Sequence, residues 1–361
     1  MSFTTGQLVI LGENKFEIKH SLGSGAISEA YLAVPVDSPE NEVVIKMARQ
    51  GLEVHDQEAQ NALEGLRNEA RSLRILNLAE LPDWKYCFDF RSRLETANLT
   101  KTRRKVVVLL DSGENEHQQP YQVQEKAPPA IVAFEIASIT DEYRLIKIMD
   151  AVLDVLSLSH KNGLALKDFE PNTKWDRIRL SWLDEKKINF EMKIIDWNVT
   201  GGPESAPQDL LYFGGHLFRF LYGHNIVFEG RERNQPPLNL SSLTRNWSTV
   251  TEGSRQILQK ILQRDLKKRY QSVEELQVEF KWWLGVLQEA QLSDGYSEMQ
   301  NQIWDLKRQE KYSQVMSVAD LGMRVFPSEE VKQGFLPWVE QARQELEKRD
   351  VLPIARARGT L

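Results

Sequence analysis

The chain has 361 residues, of which 41% are hydrophobic and 27% charged, with a formal net charge of −6 at pH 7. This is the composition of a globular protein of two to three domains, and its acidic balance argues against nucleic acid as the partner. The single cysteine, Cys87, rules out an intrachain disulfide framework, and neither a basic leader nor a run of about 18 apolar residues is present, so a cytoplasmic protein without a membrane span is expected.

Residues 7–48 read as strands. LVIL, FEIKHSL, EAYLAV and EVVIKMA are short, rich in β-branched or aromatic residues, and separated by Gly, Pro, Asn and Asp. Residues 53–77 change to a helical period, with Leu63, Leu66, Ala70, Leu73 and Leu76 on one face. An insert at about 81–104 contains the strand-like WKYCFDF and a basic run through Arg91, Arg93, Lys101, Arg103, Arg104 and Lys105, read as a solvated loop. KVVVLLDSG predicts a strand, residues 113–129 a loop, and AIVAFEIA another strand. YRLIKIMDAVLDVLSLSHKNG predicts a long helix ending at Gly163, a residue suited to a helix C-terminus. RIRLSW and FEMKIID predict two strands around the charged turn LDEKK. The rest is helical: the apolar DLLYFGGHLFRFLYG, then SRQILQKILQRD, SVEELQVEFKWWLGVLQEA, IWDLKRQEKYSQVMSVADLGMRVFP and PWVEQARQELEKRD.

The fold class expected is α+β. A β-rich lobe over 1–138 precedes a helical lobe over 139–290, and a helical extension over 291–361 is expected to dock on the latter. Within the extension, residues 310–327 resemble half a tetratricopeptide repeat through Tyr312, Gly322 and Pro327.

LGSGAISEAYLA at 22–33 places two glycines, Gly23 and Gly25, in a turn between strands, where backbone N–H groups can approach phosphate oxygens. Lys46 follows on the next strand. Singly these features are ordinary: a GSG turn is usually a β-turn, and a strand lysine is usually an edge charge. Taken in order with the motifs downstream of them, the chain resembles the protein kinase family, specifically the bacterial Ser/Thr kinases of eukaryotic type. NEARSLRIL resembles the helix that carries the partner glutamate, here Glu69. LALKDFEPNT stands where HRDLKPEN is expected and KIIDWN where DFG is expected. DLLYFGGHLFRFLYG is similar to a later helix opening on an acid, here Asp209, and ILQRDLKKRYQSVEEL to a late motif whose buried arginine is here Arg269.

The resemblance covers about residues 10–285 and implies a bilobal kinase-like fold binding ATP with Mg2+. It implies that Leu22, Gly23, Ser24, Gly25, Lys46 and Glu135 contact the nucleotide. Glu69 would hold Lys46, Asp168 would be the catalytic aspartate, and Asp196 with Asn172 or Thr173 would hold the metal. Such types suit phosphoryl transfer, in which positioning and charge neutralisation dominate.

The chain departs from the family pattern in several places. Leu166 and Lys167 replace the histidine and arginine before the aspartate, Glu170 replaces a lysine, Thr173 replaces an asparagine, and Trp197 and Asn198 replace Phe and Gly. Asp196 and Asp209 are only 13 residues apart, where the family places an activation segment and peptide platform; GPE at 202–204 is a trace of its closing motif, whose Glu204 could pair with Arg269. Three expectations stay open: a Ser/Thr protein kinase, a pseudokinase scaffold with a protein partner on its C-terminal helices, and a small-molecule kinase.

Overall fold

The computed structural model describes residues 3–25, 28–49, 57–77, 102–129, 138–166, 177–197, 202, 205–223, 225–226, 228, 240–244, 247–291, 295–326 and 328–357. These form a mixed α+β protein. The chain divides into two compact units, 1–132 with 151–209, and 133–150 with 210–361.

The first unit is built on a curled antiparallel sheet. Its strands are β1 (Leu8–Leu11), β2 (Asn14–Ser24), β3 (Ser28–Pro35), β4 (Val43–Ala48), β5 (Leu109–Glu114) and β6 (Pro120–Glu125), in the order β1-β2-β3-β4-β6-β5. The four strands read from residues 7–48 are all present. The stretch 113–129, expected as loop, contains β6 instead. Pro120 opens that strand, where its missing N–H disrupts the ladder least. Val123 lies opposite Ile45, and the two join Phe16, Ile18 and Tyr31 in a closed apolar core. Alternate residues point the other way. Lys46 and Gln122 are register partners on that second face, where both bond helix α1 (Gln57–Asn77), whose Leu66, Ala70, Leu73 and Leu76 are buried.

A second hairpin, β7 (Ile178–Trp182) and β8 (Phe190–Ile194), matches the expected strand pair. Asp184 organises its turn by accepting from the backbone N–H groups of Ile188 at 3.0 Å and Asn189 at 2.7 Å. The hairpin is tied to the rest of the unit by Val107 N to Ile194 O at 3.1 Å and Leu180 N to Pro129 O at 2.9 Å. Lys105, expected in a solvated basic loop, instead pairs with Asp154 at 2.6 Å. Residues 81–101 of the insert, with Cys87 and WKYCFDF, lie outside the described residues, as does AIVAFEIA.

Helix α2 (Ile139–Lys161) ends as its sequence predicts. Leu164 N donates to Ser159 O at 3.0 Å and Gly163 N to His160 O at 2.9 Å, with Gly163 at φ +72. This is the paired-bond termination that favours glycine in the left-handed region.

The second unit is helical. Helix α3 (Ala206–Tyr222) is mostly apolar and its residues 210–218 are buried. It is followed by α4 (Glu252–Ile261), α5 (Val273–Glu289), α6 (Gly295–Arg308), α7 (Tyr312–Val325) and α8 (Glu329–Ala357). Ser272 caps α5 by accepting from Glu275 N at 3.2 Å, while Glu275 reaches back to Gln271 N at 2.8 Å. The C-terminal helices contact α4 and the segment before it through α7. Asp320 accepts from Glu252 N at 3.2 Å, Ser317 Oγ donates to Gln256 Oε1 at 3.0 Å, and Arg324 donates to Thr249 O at 3.0 Å. No helix among the described residues is long and apolar enough to cross a membrane.

Gly322 on α7 packs directly against Phe335 of α8. A Cβ there would come within 2.5 Å of the ring of the fully buried Phe335. Gly322→Ala is therefore expected to lower stability by about 1–3 kcal/mol through overpacking. Urea unfolding measures it, and an unchanged midpoint would mean that the ring moves aside without cost.

Candidate functional site

Three residues distant in sequence meet in the first unit. Lys46 comes from the middle of β4, where strand alternation turns it away from the apolar core. Glu69 lies on the buried face of α1, one turn from Leu66 and Leu73. Asp196 follows β8 by two residues. Lys46 Nζ donates to Glu69 Oε1 at 2.8 Å and makes a second ion pair with Asp196 Oδ1. The Lys46 and Glu69 side chains are 9% and 2% exposed, whereas Asp196 keeps 33% of its side chain exposed. The first two are thus structural partners, and the third presents a carboxylate to solvent.

Glu69 Oε1 is a shared acceptor. Besides Lys46 it takes Gln124 Nε2 at 3.2 Å and the Trp197 backbone N–H at 3.4 Å. Gln124 in turn donates to Gln122 Oε1 at 2.7 Å, and Gln122 donates to Leu66 O at 2.6 Å. This buried network pins α1 to the sheet and fixes the Glu69 rotamer beneath Lys46. Trp197 is fully buried, its indole N–H donating to Ile194 O at 3.1 Å, and so locks the backbone beside Asp196.

Asp196 has φ +61, a left-handed conformation that a non-glycine residue adopts at a cost. Strain of this kind persists where the surroundings hold it and concentrates at functional sites. The electrostatics agree with the geometry. Burial alone would pull the Lys46 ammonium down, but Glu69 and Asp196 beside it outweigh that and raise its pKa above the ordinary lysine value. Burial alone would raise Asp196, but Lys46, then Arg177 and Arg179, bring it below the usual carboxylate range. Both groups are charged at neutral pH.

Lys46 and Asp196 lie on the wall of a cleft of about 760 Å³. Leu22, Ala30, Leu32, Val44 and Val107 supply apolar surface, and the chain at 124–129 forms another side. Of the residues expected at a nucleotide, Leu22 lines this cleft. Gly23 and Ser24 close β2, paired with Ala30 and Glu29 of β3, and with Gly25 they are exposed; Gly23 has φ +137 and Gly25 N donates to Ser28 O at 2.8 Å. Only glycine adopts the first of these freely. Glu135, Asp168, Asn172, Thr173 and Glu204 lie outside the described residues. Arg269, whose expected partner was Glu204, donates to the Gln263 carbonyl.

Asp209 lies elsewhere in the same unit. It is fully buried, and its Oδ2 accepts from Leu166 N at 2.7 Å and lies 2.8 Å from His160 Nε2. Burial raises its pKa, partly opposed by His160 and the Leu166 N–H. His160, in the last turn of α2, is thus partnered by a buried carboxylate. Leu166 is fully buried.

Sequence reasoning missed Gln122, Gln124, Glu125, Lys193 and Arg179. The alternation in PYQVQE was a usable signal, because two glutamines spaced by two share one face of a strand. Glu125 and Lys193 form a buried ion pair of 2.7 Å, and their meeting carried no local signal.

Of the residues expected to hold Mg2+, Asp196 lies among the described residues, and Asn172 and Thr173 lie outside them. No group of three or more His, Cys, Asp or Glu side chains capable of holding a metal occurs among the described residues. The carboxylate expected to hold it, Asp196, is already bonded to Lys46. No protein-family model matches the chain, and no curated protein matches it.

Proposed function

We propose that the cleft of the first unit binds a nucleoside triphosphate, ATP, and that the chain is a protein-kinase-like ATP-binding protein. The observation that carries this reading is Lys46, held between buried Glu69 and partly exposed Asp196 at the wall of the cleft. A lysine oriented by one carboxylate can offer its ammonium to phosphates, and exchanging the Asp196 contact for a phosphate oxygen leaves Glu69 in place. The order β2-β3-β4-β6-β5, with α1 following the Lys46 strand and Asp196 following the β7–β8 hairpin, supports a kinase-like lobe. The strained backbone at Asp196 supports a functional rather than a packing role for that residue.

Binding is tested by thermal melting. ATP at about 100 times its Kd is expected to stabilise the protein by about 2.7 kcal/mol, a shift of a few degrees. Lys46→Met is expected to remove that shift. A wild-type curve unmoved by ATP would falsify the reading.

A second reading, a pseudokinase scaffold without phosphotransfer, is favoured by buried Leu166 at the place of the family's histidine and by the span of 13 residues from Asp196 to Asp209. Transfer of labelled phosphate, compared between wild type and Asp168→Asn, separates the two. Label on the wild type alone makes Asp168 catalytic, and equal labelling of both proteins rejects it.

A further inference from the structure

Helices α5 and α6 of the second unit each turn a stripe of side chains to a groove of about 720 Å³. On α5 the stripe is Glu275, Val278, Glu279 and Trp282, and on α6 it is Gln302, Asp305 and Leu306. The first follows the i, i+3, i+4, i+7 spacing of one helix face and the second the i, i+3, i+4 spacing. In a closely packed helix pair such faces bury one another. Here Val278 remains 74% exposed, so the α5 stripe is open at its middle.

The apolar part of the lining is Val278, Trp282 and Leu306. Trp282 is backed by the core of the unit. Its ring lies 5.7 Å from that of Trp283, which is fully buried and donates from its indole N–H to Ser254 Oγ at 2.9 Å. An aromatic side chain held in this way has little freedom left to lose when a partner covers it.

The charged part is acidic. Three carboxylates, Glu275, Glu279 and Asp305, line the groove against two ammoniums, Lys260 and Lys311. Lys260 is shared between Glu275 at 3.2 Å and Glu279 at 3.4 Å. The Asp305 side chain is exposed, and its 3.5 Å pair with Arg308 is of the solvated kind that contributes little. The groove therefore has negative charge to offer, and a carboxylate accepts a guanidinium through two parallel hydrogen bonds. An acidic partner would meet like charge instead.

We propose that the groove between α5 and α6 binds an amphipathic helix of a partner protein. Its apolar row would cover Val278, Trp282 and Leu306, and its flanking Arg or Lys side chains would pair with Glu279 and Asp305. Such helices dock through anchors at i, i+3, i+4 and i+7, the spacing that the α5 wall itself presents. The inference concerns the helical unit alone and does not depend on the nucleotide reading of the first unit.

The experiment is selection from a displayed library of helical peptides of about 18 residues on the full chain, long enough for about five turns. Enriched peptides are then synthesised and titrated by fluorescence anisotropy against wild type, Val278→Lys and Asp305→Lys. The enriched sequences are expected to carry an apolar row at helical spacing flanked by Arg or Lys. Both variants are expected to bind them at least roughly tenfold more weakly, the scale of one lost anchor. Failure to enrich any binder, enrichment of acidic peptides, or equal binding by wild type and both variants overturns the inference. Sedimentation velocity supplies the remaining arm: a wild-type dimer that Val278→Lys dissolves assigns the groove to a second copy of the chain and overturns it as well. Both substituted side chains are exposed, so melting is expected to match wild type, and where one variant does not fold the other still decides the matter.

Discussion

Lys193→Met is expected to destabilise the protein by about 3–5 kcal/mol, because it leaves the Glu125 carboxylate in a dry interior with its main partner gone. The two side chains are 3% and 4% exposed and 2.7 Å apart, so water cannot replace the lost ammonium without opening the structure. Glu125 keeps a hydrogen bond from Val108 N at 2.7 Å, but one neutral donor is too weak to compensate. Burial already raises the Glu125 pKa despite Lys193, and removing the lysine raises it further, so the variant loses the most stability where the carboxyl must ionise. The double variant Lys193→Met with Glu125→Gln is expected to recover much of the loss, since neither buried group then carries charge. Urea unfolding of the wild type and the variants measures this. A Lys193→Met protein within about 1 kcal/mol of wild type would mean that Glu125 finds solvent, contrary to its burial.

Glu142→Ala is the second large loss, and it falls in the helical unit. Glu142 accepts from Thr251 N at 3.2 Å and from the Thr251 hydroxyl, and Ser254 donates to it as well. All three residues are essentially inaccessible, Glu142 at 1% and the other two at 0% exposure. Thr251 precedes α4 but makes no side-chain cap bond to the helix, because its hydroxyl is turned to Glu142. The carboxylate thus satisfies the start of that helix from a distance, where negative charge is favourable. Orphaning these donors costs about 1–3 kcal/mol each, partly offset by no longer burying a carboxylate, so a net loss of roughly 3 kcal/mol is expected. The pH dependence has a definite sign. Burial raises the Glu142 pKa, opposed by Ser254, Thr251 and more weakly Arg324. The folded state therefore holds the Glu142 proton more tightly than the unfolded chain. Its contribution to stability is full below the unfolded value near 4.5 and is lost as pH rises through the higher folded value. Glu142→Gln should flatten that part of the stability–pH curve, and an identical slope in both proteins would assign the titration to other groups.

The site was legible in the sequence where a residue's role follows from its own element. Lys46 sits mid-strand in VVIK and Glu69 in a helix of clear apolar period, so each could be placed by its local pattern and its order along the chain. Asp196 could be placed because it closes the apolar run KII. The structure joins all three, and the four opening strands and the helix end at Gly163 obey their local signals closely. The illegible part depends on distant pairing. Residues 120–125 read as loop because two glutamines and a leading proline hide a strand whose stability comes from β4 and β5 on either side. Lys105 read as one more solvated cation, yet Asp154, 49 positions away, accepts it. Arg179 carries no local signal between Ile178 and Leu180, and the structure places it at the cleft with Ser181 and Glu191.

Sequence by itself determined the local conformations and the residue types able to meet a phosphate, since turn glycines, apolar period and strand alternation act over a few residues. Tertiary structure decided which charges are partnered. Lys46 bonds both Glu69 and Asp196, Lys193 is consumed by Glu125, and the Arg179 Nε meets no acceptor among the described residues. The physical reason is that desolvation and Coulomb attraction depend on distance and burial, which the fold sets between residues far apart in the chain.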